Sequence, residues 1–329
     1  MSAIPAPLTL PPGYTVRPPA AEDVPAIIEL IAAADRHDYG MADEYSAQDI
    51  LDQGTQRESD AWLVRTPAGR AAGYAFVTAG PYGQVEAEIY VHPHDHGRGI
   101  GTALVGLSEA RAREYGAGVP AELQVLLIVH ASARNEAAAR LLTRLGFALV
   151  RHTWRMEIEL HEAPPAPAWP PGITVRTAEP GRDEPAVFAA IDESFRDVWG
   201  RAPMVFEAWR EGWARRPGFD PGLWWLAWEG ESLAGVLLAE QEGSLGHVGQ
   251  LGVRRPWRRR GLGLALLRTA FAEFYRRGTR QVYLAVDARS LTGATRLYER
   301  AGMRVALHFA RYHKVLRAGI DPAARPDGD

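Results

Sequence analysis

The segment Pro-Pro-Gly-Tyr-Thr-Val-Arg at Pro11–Arg17 returns 159 residues later as Pro-Pro-Gly-Ile-Thr-Val-Arg at Pro170–Arg176. Further anchors keep nearly that spacing: Gly73 with Gly235, Gly99 with Gly261, Gly146 with Gly302. A period this long exceeds any solenoid unit and matches one domain, so the chain reads as a duplication. Between the copies lies His161–Gly172, whose five prolines favour an extended linker over a helix. The expected plan is a first domain over 13–160, a linker over 161–172 and a second domain over 173–318. The polar tail after Pro322 is expected to fray.

Within each copy the apolar period changes in the same order. Val24, Ile27, Ile28 and Ile31 predict a helix after the first strand, matched by Val187, Ile191, Phe195 and Val198. Two strand-like runs separated by glycine-bearing turns then predict a hairpin, Trp62–Arg65 with Gly73–Thr78 and Trp225–Trp228 with Ala234–Ala239. A third strand, Val85–Val91 or His247–Val253, runs into a Gly/Arg-rich loop. A helix departs from it, with Leu264, Leu267, Phe271 and Phe274 at helical spacing in the second copy. A strand (Val125–Val129; Val282–Val286), a helix (Glu136–Arg144; Ala294–Arg300), a glycine and a last strand complete a mixed α/β plan.

Composition narrows the function. Lys and Arg total 37 against 40 Asp and Glu, a net charge of −3 that gives no global attraction for a phosphate backbone or an anionic membrane. No apolar run is long enough to span a bilayer, and the N-terminus lacks the basic and apolar regions of a secretory signal. Zero cysteines exclude thiol nucleophiles, Cys-ligated zinc and Cys-bound acyl intermediates, and fit a reducing compartment. A cytoplasmic protein that binds neither membrane nor nucleic acid is expected.

The chemistry-bearing residues lie in Val91–Gly101 and Val253–Gly263. Each loop starts at a strand end, supplies glycines and opens a helix, so backbone N–H groups and the helix dipole converge on one spot suited to a pyrophosphate. The dinucleotide fingerprint fails at Thr102 and Leu266, where it needs glycine, and no P-loop spacing occurs.

These residues resemble the GNAT superfamily of acyl-CoA-dependent N-acyltransferases, whose signature is [RQ]-x-x-G-x-[GA]. Arg258-Arg259-Arg260-Gly261-Leu262-Gly263 matches fully. His96-Gly97-Arg98-Gly99-Ile100-Gly101 departs at its first position, where a guanidinium contact would be lost. The distal stretch Asn135–Leu142, ending at Phe147, is similar to the family's N-x-x-A-x-x-L-Y motif. Ser290–Tyr298, ending at Met303, is a version one residue longer. The resemblance covers nearly all of both copies and implies a tandem duplication of the GNAT fold. Each copy would be a mixed, mostly antiparallel sheet flanked by helices, as in tandem members of the family.

The resemblance further implies that acyl-CoA lies in an opening between the fourth and fifth strands, where an amine attacks the thioester directly. The cofactor loops would be Val253 with Arg258–Gly263, and Val91 with His96–Gly101, together with Asn135. The oxyanion donor would be a backbone N–H near Ile89–Val91 or Leu251–Val253, and the acid for the departing thiolate the Tyr of the L-Y pair. That position holds Tyr298 in the second copy but Leu142, which has no proton to give, in the first. Candidate bases show the reverse asymmetry. Glu86 and Glu88 precede the first loop, while the aligned second-copy positions are Val248 and Gln250, with His247 one step earlier. Glu88 reads equally as a solvated strand residue, and His247 as a structural histidine.

His92, His94 and His96 with Asp95 diverge on a tight loop, so no metal is expected. The arginines from Arg254 to Arg260 form the densest basic run, and their place at the loop makes CoA phosphates a simpler ligand than nucleic acid. Seven of the ten tryptophans fall in the second copy, for core packing or an apolar pocket. Arg196–Trp213 lies where the family recruits acceptor contacts. The reading is an N-acyltransferase using acetyl-CoA or another acyl-CoA on a small-molecule amine, with the second domain catalytic. The rival is a CoA-binding sensor or scaffold without transfer. The oligomer is left open between a monomer with an internal pseudo-dimer and a homodimer.

Overall fold

Residues 236–239 are buried without a break, Val236 and Leu238 on one face of their strand and Leu237 and Ala239 on the other. A strand apolar on both faces needs a helical layer on each. The computed structural model describes residues 10–41, 47, 50, 59–196, 198–201, 203–214, 219–289 and 293–322. They fall into two compact units.

The first unit holds strands β1 (Thr15–Arg17), β2 (Ser59–Arg65), β3 (Ala71–Ala79), β4 (Gln84–Val91) and β5 (Val125–Ser132). Among the described residues its longer helices are α1 (Val24–Tyr39), α2 (Ile100–Ala117) and α3 (Glu136–Arg144). The end of β12 (Arg304–Arg317) completes its sheet in the order β1-β2-β3-β4-β5-β12. Every neighbouring pair is antiparallel except β4 and β5. The second unit repeats this pattern with β7 (Ile173–Thr177), β8 (Trp224–Glu229), β9 (Ser232–Glu242), β10 (Leu245–Val253), β11 (Gln281–Asp287) and the end of β6 (Ala148–Glu159). Its parallel pair is β10 and β11. Its helices are α4 (Glu184–Phe195), α5 (Phe206–Ala214), α6 (Leu262–Arg276) and α7 (Ala294–Arg300).

The compact units differ from the contiguous spans 13–160 and 173–318, and the linker 161–172 groups with the second. Residues 308–322 belong with the first unit and residues 153–159 with the second. Each fifth strand needs an antiparallel partner for its outer backbone groups, and β12 supplies it to β5 and β6 to β11.

In the first unit Ile27, Leu30 and Ile31 of α1 pack on Tyr74 and Phe76. On the other face Leu104 packs with Ala75 and Val105 with Val77. In the second, α4 and α5 cover Leu226, Val236 and Leu238, while Leu266, Leu267, Phe271 and Phe274 of α6 cover Leu237, Ala239 and Val282. Val198 lies beyond the end of α4, and Asp197 and Ser290–Thr292 lie outside the described residues. The linker over 163–170 carries neither helix nor strand. A repeated ion pair ties each first strand to the helix behind it, Arg17 to Asp23 at 2.6 Å and Arg176 to Asp183 at 2.5 Å. Among the described residues no helix is long and apolar enough to cross a membrane.

Candidate active site

Val91 and Val253 end their strands, and a short 3-10 turn leads from each into the glycine loop. Gly97 (φ 76°) and Gly99 (φ 84°) take the left-handed conformation in the first unit; Arg259 (φ 62°) and Gly261 (φ 92°) take it in the second. Holding arginine there costs about 1 kcal/mol or more, a strain the loop bears to keep its shape. Gly99 and Gly261 cap α2 and α6. The first intrahelical bonds run from Ala103 and Ala265, so the amides of residues 100–102 and 262–264 face outward without intrahelical acceptors. A Cβ at Gly97 or Gly261 would meet nothing within 4 Å, so the cradle is open. Open space, convergent donors and the dipole fit the diphosphate of acyl-CoA. Gly101 and Gly263 serve packing instead: a Cβ there would come within 3.0 Å of Leu141 and 2.9 Å of Leu297.

The first motif position is a clamp. Arg258 Nε donates to the Val253 carbonyl at 3.0 Å and its Nη2 to the Ser194 carbonyl at 3.4 Å. His96 Nε2 lies 3.2 Å from the Val91 carbonyl, so the histidine, without a guanidinium, makes one of the two contacts that Arg258 makes. The basic run is largely committed to ion pairs, Arg254 to Glu193 and Arg260 to Glu229, the latter also holding the Trp257 indole. Arg259 stays exposed and, among the described residues, without an ion pair. In the first unit Arg98 is half exposed, 3.8 Å from Asp95. Asp95 is buried and its carboxylate is taken up by Tyr14 and Arg70.

Helices α3 and α7 end alike. Phe147 N donates to Leu142 O and Met303 N to Tyr298 O, each at 3.0 Å, which fixes Leu142 and Tyr298 as equivalents. Leu142 is buried in the core, whereas Tyr298 packs against the α6-side core with its ring half-buried. The Tyr298 hydroxyl has no hydrogen-bond partner among the described residues, and burial pushes its pKa up to about 12. Asn135 is already engaged: its oxygen caps α3 at Ala138 N and its amide donates to Asp38. A cavity of about 560 Å³ lies beside it, lined by His37, Asp38, Tyr39 and Arg134 among others.

The parallel strands pair only near their starts, β4 with β5 over Gln84–Ala87 and β10 with β11 over Leu245–His247. Glu88 is the first β4 residue past that pairing. It is open to solvent at its edge, yet desolvation pushes its carboxyl up, countered in part by a hydrogen bond from Tyr90 at 2.8 Å. In β10 a bulge at Gly249 shifts the register, so His247 lies opposite Glu240 as Glu86 lies opposite Thr78, and Gln250 lies opposite Leu238 as Glu88 lies opposite Phe76. The structural counterpart of Glu86 is therefore His247, and Val248, the position aligned to it in sequence, faces the core. Gln250 Oε1 is buried and unpartnered among the described residues, an acceptor that suits a substrate N–H.

Sequence reasoning missed the neighbours of His247. Its Nδ1 lies 2.9 Å from Glu242 and 3.2 Å from Glu240. Burial works to lower its pKa, but the two carboxylates prevail and raise it. The donor atoms of these three side chains lie within 4.8 Å of one another, and both carboxylates are spent on the one ring nitrogen. Of the tryptophans, Trp209, Trp213, Trp224 and Trp225 are buried core, and Trp199 is exposed.

Residues 185–303 match the acetyltransferase (GNAT) family model and residues 58–149 an acetyltransferase (GNAT) domain model. A mycothiol acetyltransferase of Thermobispora bispora is 35% identical over 248 residues, covering 73% of this chain and 79% of that protein. A GCN5-related N-acetyltransferase from Sphaerobacter thermophilus is 42% identical with a TM-score of 0.87, over 96% of this chain and all of that one. A tandem GNAT protein from clavulanic acid biosynthesis, 19% identical over 95% of this chain and all of that one, shares the fold with a TM-score of 0.70. The chain belongs to the GNAT acetyltransferase family, as a tandem member and an acyl-CoA-dependent N-acetyltransferase.

Proposed function

We propose that the second unit transfers the acetyl group of acetyl-CoA directly to a primary amine of a small molecule, and that the first unit binds CoA without matching this turnover. The observation that carries the reading is the contrast between the Tyr298 hydroxyl and the buried Leu142 at one equivalent position. Val253 and residues Arg258–Gly263 hold the cosubstrate diphosphate in the second unit, and Val91 and His96–Gly101 do so in the first. Asn135 contributes by capping α3 rather than by a free side chain.

The amine nitrogen bonds to the acyl carbon as the C–S bond breaks. His247, directly or through water, takes the proton the amine loses. A backbone N–H near Leu251–Val253 meets the charge growing on the carbonyl oxygen. Tyr298 gives its proton to the departing thiolate and regains one from solvent. With its pKa near 12 the hydroxyl stays protonated throughout the neutral range, the form an acid needs. Relatives named mycothiol acetyltransferase support a small-molecule acceptor.

Thiol release from acetyl-CoA, with and without a panel of primary amines including mycothiol-related ones, tests the reading. Amine-dependent release that falls in Tyr298→Phe supports it. Tight acetyl-CoA binding with no amine-dependent release would support a sensor instead.

A further inference from the structure

Glu240 and Glu242 come from the strand beside His247, and both carboxylates meet the same imidazole nitrogen. A carboxylate ionised at neutral pH only accepts, so Nδ1 must carry the hydrogen, and Nε2 is left as the lone-pair nitrogen of the neutral ring. The ring is fixed from its flat side too. It stacks on Tyr283 with centroids 4.6 Å apart and planes 6° apart, and the Tyr283 hydroxyl hydrogen-bonds to Glu242. Glu240 is buried, so its interaction is little weakened by water. At the equivalent place in the first unit stands Glu86, an exposed carboxylate 3.6 Å from Arg311 where the second unit has the imidazole.

We infer that Glu240 and Glu242 are positioning residues that hold His247 as its Nδ1–H tautomer, with Nε2 as the atom that takes the proton from the acceptor amine. The inference rests on the reading of His247 as the base. Other charged or titratable groups on this face are Tyr283 and the Arg155–Glu157 pair. Arg155 sits 4.0 Å over the Tyr283 ring and 2.8 Å from Glu157, which also accepts from Gln281. Two carboxylates thus face the imidazole against one arginine that has its own counter-ion, and the raised pKa of His247 follows.

The test is long-range ¹H–¹⁵N spectroscopy of the full chain labelled in histidine, titrated with pH, with His247→Gln to assign the resonance. The expected midpoint lies above the ordinary value of about 6.5, with the neutral form protonated at Nδ1. In Glu240→Gln/Glu242→Gln the midpoint should fall by about one pH unit or more, since each unit reflects the charge interaction removed. The acid limb of kcat/KM, measured with acetyl-CoA and an amine accepted from the panel, should move the same way. Glu242→Gln alone, at the more exposed partner, should give a smaller shift of the same sign if the double variant folds poorly. An unchanged midpoint and tautomer in variants that fold would overturn the inference. If the midpoint shifts but His247→Gln keeps full turnover, the base assignment fails while the positioning stands.

Discussion

The two units share a cradle and differ at its mouth. In both, a strand ending in valine, a left-handed loop and a glycine-capped helix gather amide donors at one point. Beyond the cradle they part. The first unit has a carboxylate, Glu88, pushed up by desolvation, and a buried leucine where an acid would stand. The second has a hydroxyl at that place, a histidine held by two carboxylates and an amide oxygen that is unpartnered among the described residues. Binding a diphosphate asks only for backbone geometry, which the duplication preserved, whereas moving protons asks for side chains of the right pKa, and there the copies diverged.

The largest way to sharpen that contrast is Tyr298→Phe, which should lower kcat by about 10²-fold or more, the usual worth of a general acid, with acetyl-CoA affinity held within about twofold. Because burial holds the hydroxyl near pKa 12, the wild-type kcat should show no falling limb from this residue across the alkaline working range. Next comes the clamp. Arg258→Ala removes charge-assisted contacts to two carbonyls and should weaken acetyl-CoA binding in the second unit by about tenfold or more. His96→Ala should weaken the first unit's by less, roughly fivefold, and calorimetry on each variant compares them.

A stability comparison follows. Asp23 is buried against Arg17 and Arg65, Asp183 against Arg176 with a backbone amide from Glu179. Asp23→Asn should cost about 2 kcal/mol and Asp183→Asn about 1, discounted because the arginines are part-exposed. Hydrogen bonds from arginine hold both carboxyls below their ordinary pKa. That stability is therefore present above the unfolded value of about 3.9 and is lost as pH falls, so wild type and variants should converge in acid melts. The smallest effect expected is that of Glu88→Gln, which should leave amine-dependent turnover within about twofold if catalysis sits in the second unit.

Much of this was legible in sequence because it is local. The Gly99 and Gly261 helix starts, the spans of α3 and α7 and the Leu142/Tyr298 contrast are all written in short runs. What escaped is what strands bring together. The one-residue bulge at Gly249 gives His247 the register of Glu86, and no spacing in β10 alone reveals it. Glu240 and Glu242 reach His247 across a strand pair, and the exchange of closing strands depends on pairings far apart in the chain. The pairing of Arg254, Arg258 and Arg260 shows only once their carboxylate and carbonyl partners are in place.

The central claim is that catalysis belongs to the second unit, and paired glycine substitutions test it most directly. Gly99→Val and Gly261→Val each force a β-branched residue into the left-handed conformation at one cradle. With folding verified by circular dichroism, acetyl-CoA stoichiometry and amine-dependent thiol release are measured on both. The account predicts that Gly261→Val abolishes release while Gly99→Val retains most of it. Release that survives in Gly261→Val and vanishes in Gly99→Val would contradict it.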